Sequence, residues 1–414
     1  MVVVVEVVQR RVLRVLAVSQ VLGSAGITIG LTLSTLVAAA LAHSDVVGGL
    51  AQTGAVLGAA LFALPAARVA NRYGRRPALV AGYGIGAAGA LVAACAVVLG
   101  SWQLLLPALV LFGAAGSANL AARYAGADLA PPRQRARSLA LVVWAATFGA
   151  VLGPNLAEPA GRWAVLLGLP VGAGPYLLSA VVFATAAVVV LGFLRPDPLV
   201  VARSAPVAPA HCAGGGVVGT RGSAEVWRSL PAAGRLALGG VTLCHTAMVG
   251  LMSMTPVHMD HGGSSLRVVG LVISLHVASM YVASPLFGWV ADRWGRVPVL
   301  AIGTALVVAA AGVAGMAPSH GAPQLAAGLA LLGFGWSAGL VAGSALLTES
   351  VAVADRPAAQ GLSDLCMNVG GAVGGVVAGV VITAWSYAAL GLLVGFAALP
   401  LLVICLYTSA QRAG

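Results

Sequence analysis

The sequence predicts an all-α membrane protein of twelve transmembrane helices arranged as two six-helix bundles. Three observations predict it. The 414 residues are 60% hydrophobic and only 8% charged, with a mean hydropathy of +1.00. No water-soluble domain of this size needs so little charge, whereas a bundle of membrane helices does. Apolar runs of about 20 residues, the length that crosses a bilayer, recur between short charged or Pro/Gly-rich breaks. The octapeptides ANRYGRRP (70–77) and ADRWGRVP (291–298) share five of eight residues at a separation of 221, so the chain repeats itself over half its length.

In order, the spans read 13–41, 46–66, 77–100, 103–125, 137–159 and 174–194, then 235–257, 267–290, 297–317, 323–348, 358–384 and 387–408. Residues 1–194 make the N-terminal bundle and 235–414 the C-terminal one. Residues 195–234, rich in Pro, Gly, Ser and Arg, make a cytoplasmic linker between them. The opening MVVVVEVVQRR carries its charges after its first apolar stretch. That order does not suit a cleaved signal peptide, so span 1 acts as the first insertion signal.

All 22 basic residues are arginine. With both termini inside, 20 of them fall on the cytoplasmic side and only Arg162 and Arg267 face outward, a strong positive-inside bias. The net charge of +11 therefore reports topology and contact with anionic lipid of the bilayer, and nucleic acid is not an expected partner. Five scattered cysteines show no paired spacing and do not suggest a disulfide scaffold; Cys95 and Cys405 read as small apolar packers.

Each octapeptide sits in a tight loop between the second and third spans of its half. The fuller pattern is G-x-x-x-D-R-x-G-R. Gly288, Asp292, Arg293, Gly295 and Arg296 complete the second copy. The first has Ala67 in the Gly position and Asn71 in the Asp position, followed by Arg72, Gly74 and Arg75. Twelve spans as 6+6, a long central loop and this pattern in both halves resemble the major facilitator superfamily. The resemblance covers essentially the whole chain. It implies two bundles that rock about a central site open to each side in turn. In such loops the carboxylate pairs with a neighbouring Arg or a helix end and latches one state. Asn71 cannot carry that charge, so the latch is expected to be asymmetric and to rest on Asp292; the alternative is that the loop arginines only hold topology.

Ionisable groups inside the membrane are the default functional candidates. Spans 1 to 4 have no acidic residue in their interiors. Glu349 near the inner end of span 10 and Asp364 a turn or two into span 11 are candidate proton carriers, or else boundary residues near the cytoplasm. Gly149, Gly153 and Pro154 in span 5 resemble the Gly-x-x-x-Gly-Pro pattern of drug/proton antiporters in the same superfamily. Ala157 and Glu158 depart from it, and the stretch LVLFGAAGSAN of span 4 lacks the arginine those antiporters carry.

Soft-metal ligands are concentrated in one stretch. Of 8 Met, 7 His and 5 Cys, ten fall between residues 244 and 280. They are Cys244, His245, Met248, Met252, Met254, His258, Met259, His261, His276 and Met280. Met248/Met252 and His276/Met280 are i, i+4 pairs, which stack on one helix face. Thioethers select reduced copper, and imidazole also suits it. Span 7 runs outward and span 8 inward, so Met254, His258, Met259 and His261 lie toward the mouth and the two pairs nearer mid-depth. At 1.5 Å per residue the donors descend in steps of about 6 Å, and several weak sites in series let an ion leave. On chemistry alone a second reading stays open: packing methionines and a hydrogen-bonded structural histidine.

A narrower resemblance goes further. The CcoA-like copper transporters carry M-x-x-x-M in span 7 and H-x-x-x-M in span 8, and this chain has both in that order. The resemblance implies a monomeric importer of copper across a bacterial inner (plasma) membrane, multi-pass with both termini cytoplasmic. Met248, Met252, His276 and Met280 would be the metal ligands, the copper would serve cytochrome c oxidase assembly, and the transported ion would be the only metal, with no resident cofactor. The competing reading is a proton-coupled exporter or carrier of small organic compounds, drug or vitamin, for which the same residues line an apolar cavity. An enzyme is not expected, because the chain has no phosphate-binding glycine loop and no candidate catalytic triad.

Overall fold

A computed structural model describes residues 2–204 and 223–411; the middle of the expected linker, with Arg221, and the terminal Arg412 lie outside the described residues. The described chain is helical throughout. The first half comprises α1 (Val2–Thr32), α2 (Ser34–Ala42), α3 (Asp45–Tyr73), α4 (Arg75–Val98), α5 (Trp102–Ala125), α6 (Arg135–Leu166) and α7 (Ala173–Phe193). Two short helices follow, α8 (Pro198–Ser204) and α9 (Ser223–Ser229). The second half comprises α10 (Ala232–His261), α11 (Leu266–Val282), α12 (Ser284–Trp294), α13 (Arg296–Gly315), α14 (Ala322–Ser350), α15 (Arg356–Ala384) and α16 (Tyr387–Ala410).

Twelve segments are long and apolar enough to cross a membrane, and each expected span has one. Two spans are broken. The first divides into α1 and α2 at Leu33, a break for which the sequence offers no proline or glycine. The eighth divides into α11 and α12 at Ala283, where Pro285 at the start of α12 cannot donate to the carbonyl one turn back. Beside it, Ser284 donates its hydroxyl to Met280 O at 3.3 Å.

The chain forms two compact units whose boundaries cross the sequence halves. One holds Met1–Ala130, Ala145–Ser229 and Val351–Asn368; the other holds Pro131–Trp144, Leu230–Ser350 and Val369–Gly414. The start of α6 thus packs with the second unit and the start of α15 with the first. Inside each unit, glycines let helix backbones approach. A Cβ on Gly303 would stand 2.8 Å from Gly339 N, and one on Gly328 2.8 Å from Ala314 N. Close packing of this kind holds membrane helices together where no hydrophobic effect separates them from lipid.

Candidate functional site

The loop motif leaves α3 through Gly74, whose φ of 99° lies where a side chain is strained. The turn aims Arg75 inward, with 4% of its side chain exposed. Its Nε donates to Asp128 Oδ2 at 2.7 Å and its Nη2 to Asp128 Oδ1 at 3.3 Å, a two-pronged grip. The same Nη2 donates to Gln360 Oε1. One helix away, Arg123 is buried in the last turn of α5 and donates to Asp364 Oδ1 at 2.7 Å. It also donates to Leu120 O and Tyr124 Oη, and stacks over the Tyr124 ring at 4.3 Å. Tyr124 Oη in turn donates to Ser363 Oγ at 3.4 Å. Arg75, Tyr124, Gln360 and Asp364 line a void of about 20 Å³, room for one water.

The second copy turns at Gly295 with φ 105° and likewise buries its arginine. Arg296 Nη2 donates to Glu349 Oε1 at 2.7 Å and Pro132 O at 2.5 Å, and lies 3.0 Å from Asp292. Asp292 accepts from the backbone N–H groups of Ala136 at 3.1 Å and Arg137 at 2.9 Å, the open N-terminus of α6. Gly288 permits this contact, since a Cβ there would lie 2.6 Å from Ala140 Cβ and 2.9 Å from Ala136 O. The expected helix-end partner of Asp292 is therefore present, and Glu349, expected as a proton carrier, is the partner of Arg296.

Asp128 was not singled out by sequence reasoning, yet a signal for it exists. Arg75 and Asp128 are 53 residues apart, as are Arg296 and Glu349, so the repeat offset of 221 that relates the loops maps Glu349 onto Asp128. Asp364 was singled out; its partner Arg123, 241 residues away, has no such signal.

The expected metal ligands are held as follows. His276 is fully buried against α14, its Nδ1 2.7 Å from Leu329 O. With Nδ1 donating to that carbonyl, Nε2 carries the lone pair, and this buried atom has no partner. Met280, one turn on, is buried too, and its backbone runs against Gly333 of α14. Met248 lies on the buried strip of α10 with Val241, Cys244, Leu251 and Met259; Cys244 faces Gly339 and Val241 faces Gly343. The His276/Met280 pair and the Cys244 face of α10 thus pack on α14, while α10 and α11 touch each other only slightly. Met252 and Met254 are half-buried and His261 is exposed. His258 stacks on Tyr387 at 4.4 Å and bonds Ala317 O at 3.1 Å. Among the described residues no three His, Cys, Asp or Glu side chains stand close enough to share a metal ion.

α14 also carries a side chain the sequence reading passed over. Trp336, midway along α14, is buried and donates its indole N–H to His245 Nδ1 at 3.0 Å. Tyr281, at the break between α11 and α12, meets the indole edge-on at 5.7 Å. Gly371 leaves room beside His245, because a Cβ there would lie 3.0 Å from its Nε2. Aromatic faces, an imidazole and a phenol thus meet at the middle of three spans, in one unit. A lone Trp in a Gly/Ala-rich helix has no periodic signal; only its depth in span 10 marks it.

The family model described as Major Facilitator Superfamily matches residues 15–265 and 236–413. The chain is 38% identical to the uncharacterized MFS-type transporter YdeG of Bacillus subtilis, over 97% of its own length and 93% of the relative's. It is 28% identical to the riboflavin transporter RfnT of Brucella anthropi, over 86% of its own length and 85% of the relative's. Among solved structures it is similar to the human organic anion transporter MFSD10, with a TM-score of 0.76, 18% identity, and coverage of 96% of this chain and 99% of that one.

Proposed function

Because the chain belongs to the major facilitator superfamily, and is a multi-pass membrane transporter and not an enzyme, we propose that it carries a small planar organic molecule, gripped in its second half by Trp336, Tyr281 and His245. The observation that carries this reading is the Trp336–His245 hydrogen bond with Tyr281 at its edge. Flat heterocycles are recognised by aromatic faces together with a few placed polar atoms, and this cluster offers both. It contains no fixed charge, which suits a neutral or weakly charged ring system. RfnT, a riboflavin transporter by name, makes riboflavin the first cargo to test.

Coupling rests on Asp364. It is buried against Arg123, so its protonation would free a buried guanidinium and break the tie between α5 and α15; Glu349 is 25% exposed and less suited. The carrier works as a monomer without a resident cofactor in a bacterial inner membrane, both termini cytoplasmic by the arginine bias. Purified protein in liposomes is expected to take up labelled riboflavin. Trp336→Ala is expected to cut that uptake at least about tenfold, since one lost stacking and hydrogen-bonding partner is worth about 1.4 kcal/mol or more. Uptake equal in Trp336→Ala and parent would remove the site.

A second reading, copper import on Met248, Met252, His276 and Met280 with Met254, His258, Met259 and His261 toward the mouth, is favoured by one atom: the buried, unpartnered His276 Nε2. A carbonyl on Nδ1 is the arrangement that orients a ligating imidazole. The slight α10–α11 contact weighs against a joint four-ligand site. Cell copper measured by mass spectrometry in an uptake-deficient bacterium decides it. A rise with the parent and none with Met248→Ala/His276→Ala would establish import through these residues; unchanged copper in both would remove this reading.

A further inference from the structure

At the second loop the motif's own Asp292 binds the N-terminus of α6. The repeat offset makes Pro357 and Ala358 of α15 the counterparts of Ala136 and Arg137. The first loop weakens both halves of that contact: Asn71 stands for the Asp, and of the two counterpart donors Pro357 has no N–H to give.

The segment after α7 packs on this loop instead. Asp197 Oδ2 accepts from Arg76 N–H at 2.7 Å, at the N-terminus of α4, while its Oδ1 accepts from Leu199 N at 3.0 Å and Val200 N at 3.3 Å, at the start of α8. One carboxylate thus caps two helices. Further along α8, Arg203 Nη1 donates to Asn71 O at 2.7 Å and its Nη2 to Asn71 Oδ1 at 2.5 Å. The same Nη2 reaches Ala354 O, just ahead of α15, at 3.5 Å. Arg203 therefore joins the end of α3 to the approach of α15. Nearby, Gly361 of α15 lies against Ala63 and Ala67 of α3.

We propose that Asp197 and Arg203 are positioning residues of the transport cycle: they supply to the first loop, from α8, the carboxylate and the tie to the α15 approach that the second loop carries within its own motif. The ends of α3 and α15 part only when Arg203 lets go of Asn71 or Ala354. The device predicts an unusual sign. Asn71→Asp, which restores the motif, acts through Arg203 by turning a neutral acceptor into a charged one.

The test reads opening directly. Ala70, buried at the end of α3 and lining the void beneath the loop, is changed to Cys in a chain whose native cysteines are replaced. Its rate of reaction with a charged maleimide is measured in open membranes. Arg203→Ala is expected to speed labelling about tenfold, the scale of lost hydrogen bonds to a charged group, with the thermal unfolding midpoint of the purified protein little changed. Asp197→Asn should speed it less, because an amide oxygen still accepts. Asn71→Asp should slow labelling when Arg203 is present and leave it unchanged when Arg203 is Ala. Equal labelling of Arg203→Ala and parent overturns the proposal. So does slowing by Asn71→Asp in the Arg203→Ala background, which would mean that the restored Asp grips α15 unaided.

Discussion

The two loop motifs are built to one plan with different atoms. In the second, Asp292, Arg296 and Glu349 close a network around the head of α6. In the first, Arg75 turns to Asp128 and Gln360, and Asp197 and Arg203 arrive from α8. The packing shows the same exchange. Gly288 of α12 lies against Ala140 of α6, while Ala67 of α3 lies against Gly361 of α15. Ala140 and Gly361 are themselves 221 residues apart, so the glycine missing at position 67 has its counterpart across the contact. What persists in both copies is a relation, one small residue against another and one carboxylate at a helix start, while the residues that fulfil it have moved.

The largest expected difference lies in the arginines. Arg75→Ala leaves Asp128, whose side chain is 0% exposed, buried without its cation, at a cost of about 3–5 kcal/mol. Arg296→Ala is expected to cost less, about 1–2 kcal/mol, because Glu349 is 25% exposed and Asp292 keeps its two backbone donors. Thermal unfolding in detergent measures both, and equal losses would erase the distinction. Next is Gly288→Ala, which forces α12 off α6 and costs about 1–3 kcal/mol as an overpacked contact. Adding Ala140→Gly recreates the order of the first loop and should recover part of that loss, since the contacts to Ala136 O and Arg137 Cα remain, a rescue read in the same unfolding assay. The smallest effect belongs to Asp292→Asn. The amide oxygen still accepts and Arg296 keeps Glu349, so the loss is the charge at the α6 N-terminus and beside Arg296, about 1 kcal/mol.

The fold was legible because its signals are local and repeated: apolar runs bounded by Arg, Gly and Pro place all twelve spans, and two octapeptides announce the halves. The inward turn of Arg75 and Arg296 follows from a glycine at positive φ that the motif spells out. Partners were harder to read, because a buried ion pair joins residues with no local pattern; Arg123 and Asp364 are 241 apart. The density of Met and His in spans 7 and 8 directed attention to a metal, and i, i+4 spacing does place each pair on one face. It could not say that His276 and Met280 would pack on α14, nor that Trp336 would bond His245. The residues after span 6 read as linker by composition, and Pro198 at the head of α8 gave no hint that Arg203 would reach Asn71.

The Gly288/Ala140 and Ala67/Gly361 contacts make the two halves a matched lock and key cut one methyl deep. A chain assembled from two copies of the first half would set Ala67 against a second Ala140, two methyls where one fits. Two copies of the second half would set Gly288 against Gly361 and leave a gap. Either duplication would keep every span and every motif, yet its halves would no longer mate, so the ancestry of this chain is written in the asymmetry of its contacts as well as in the symmetry of its loops.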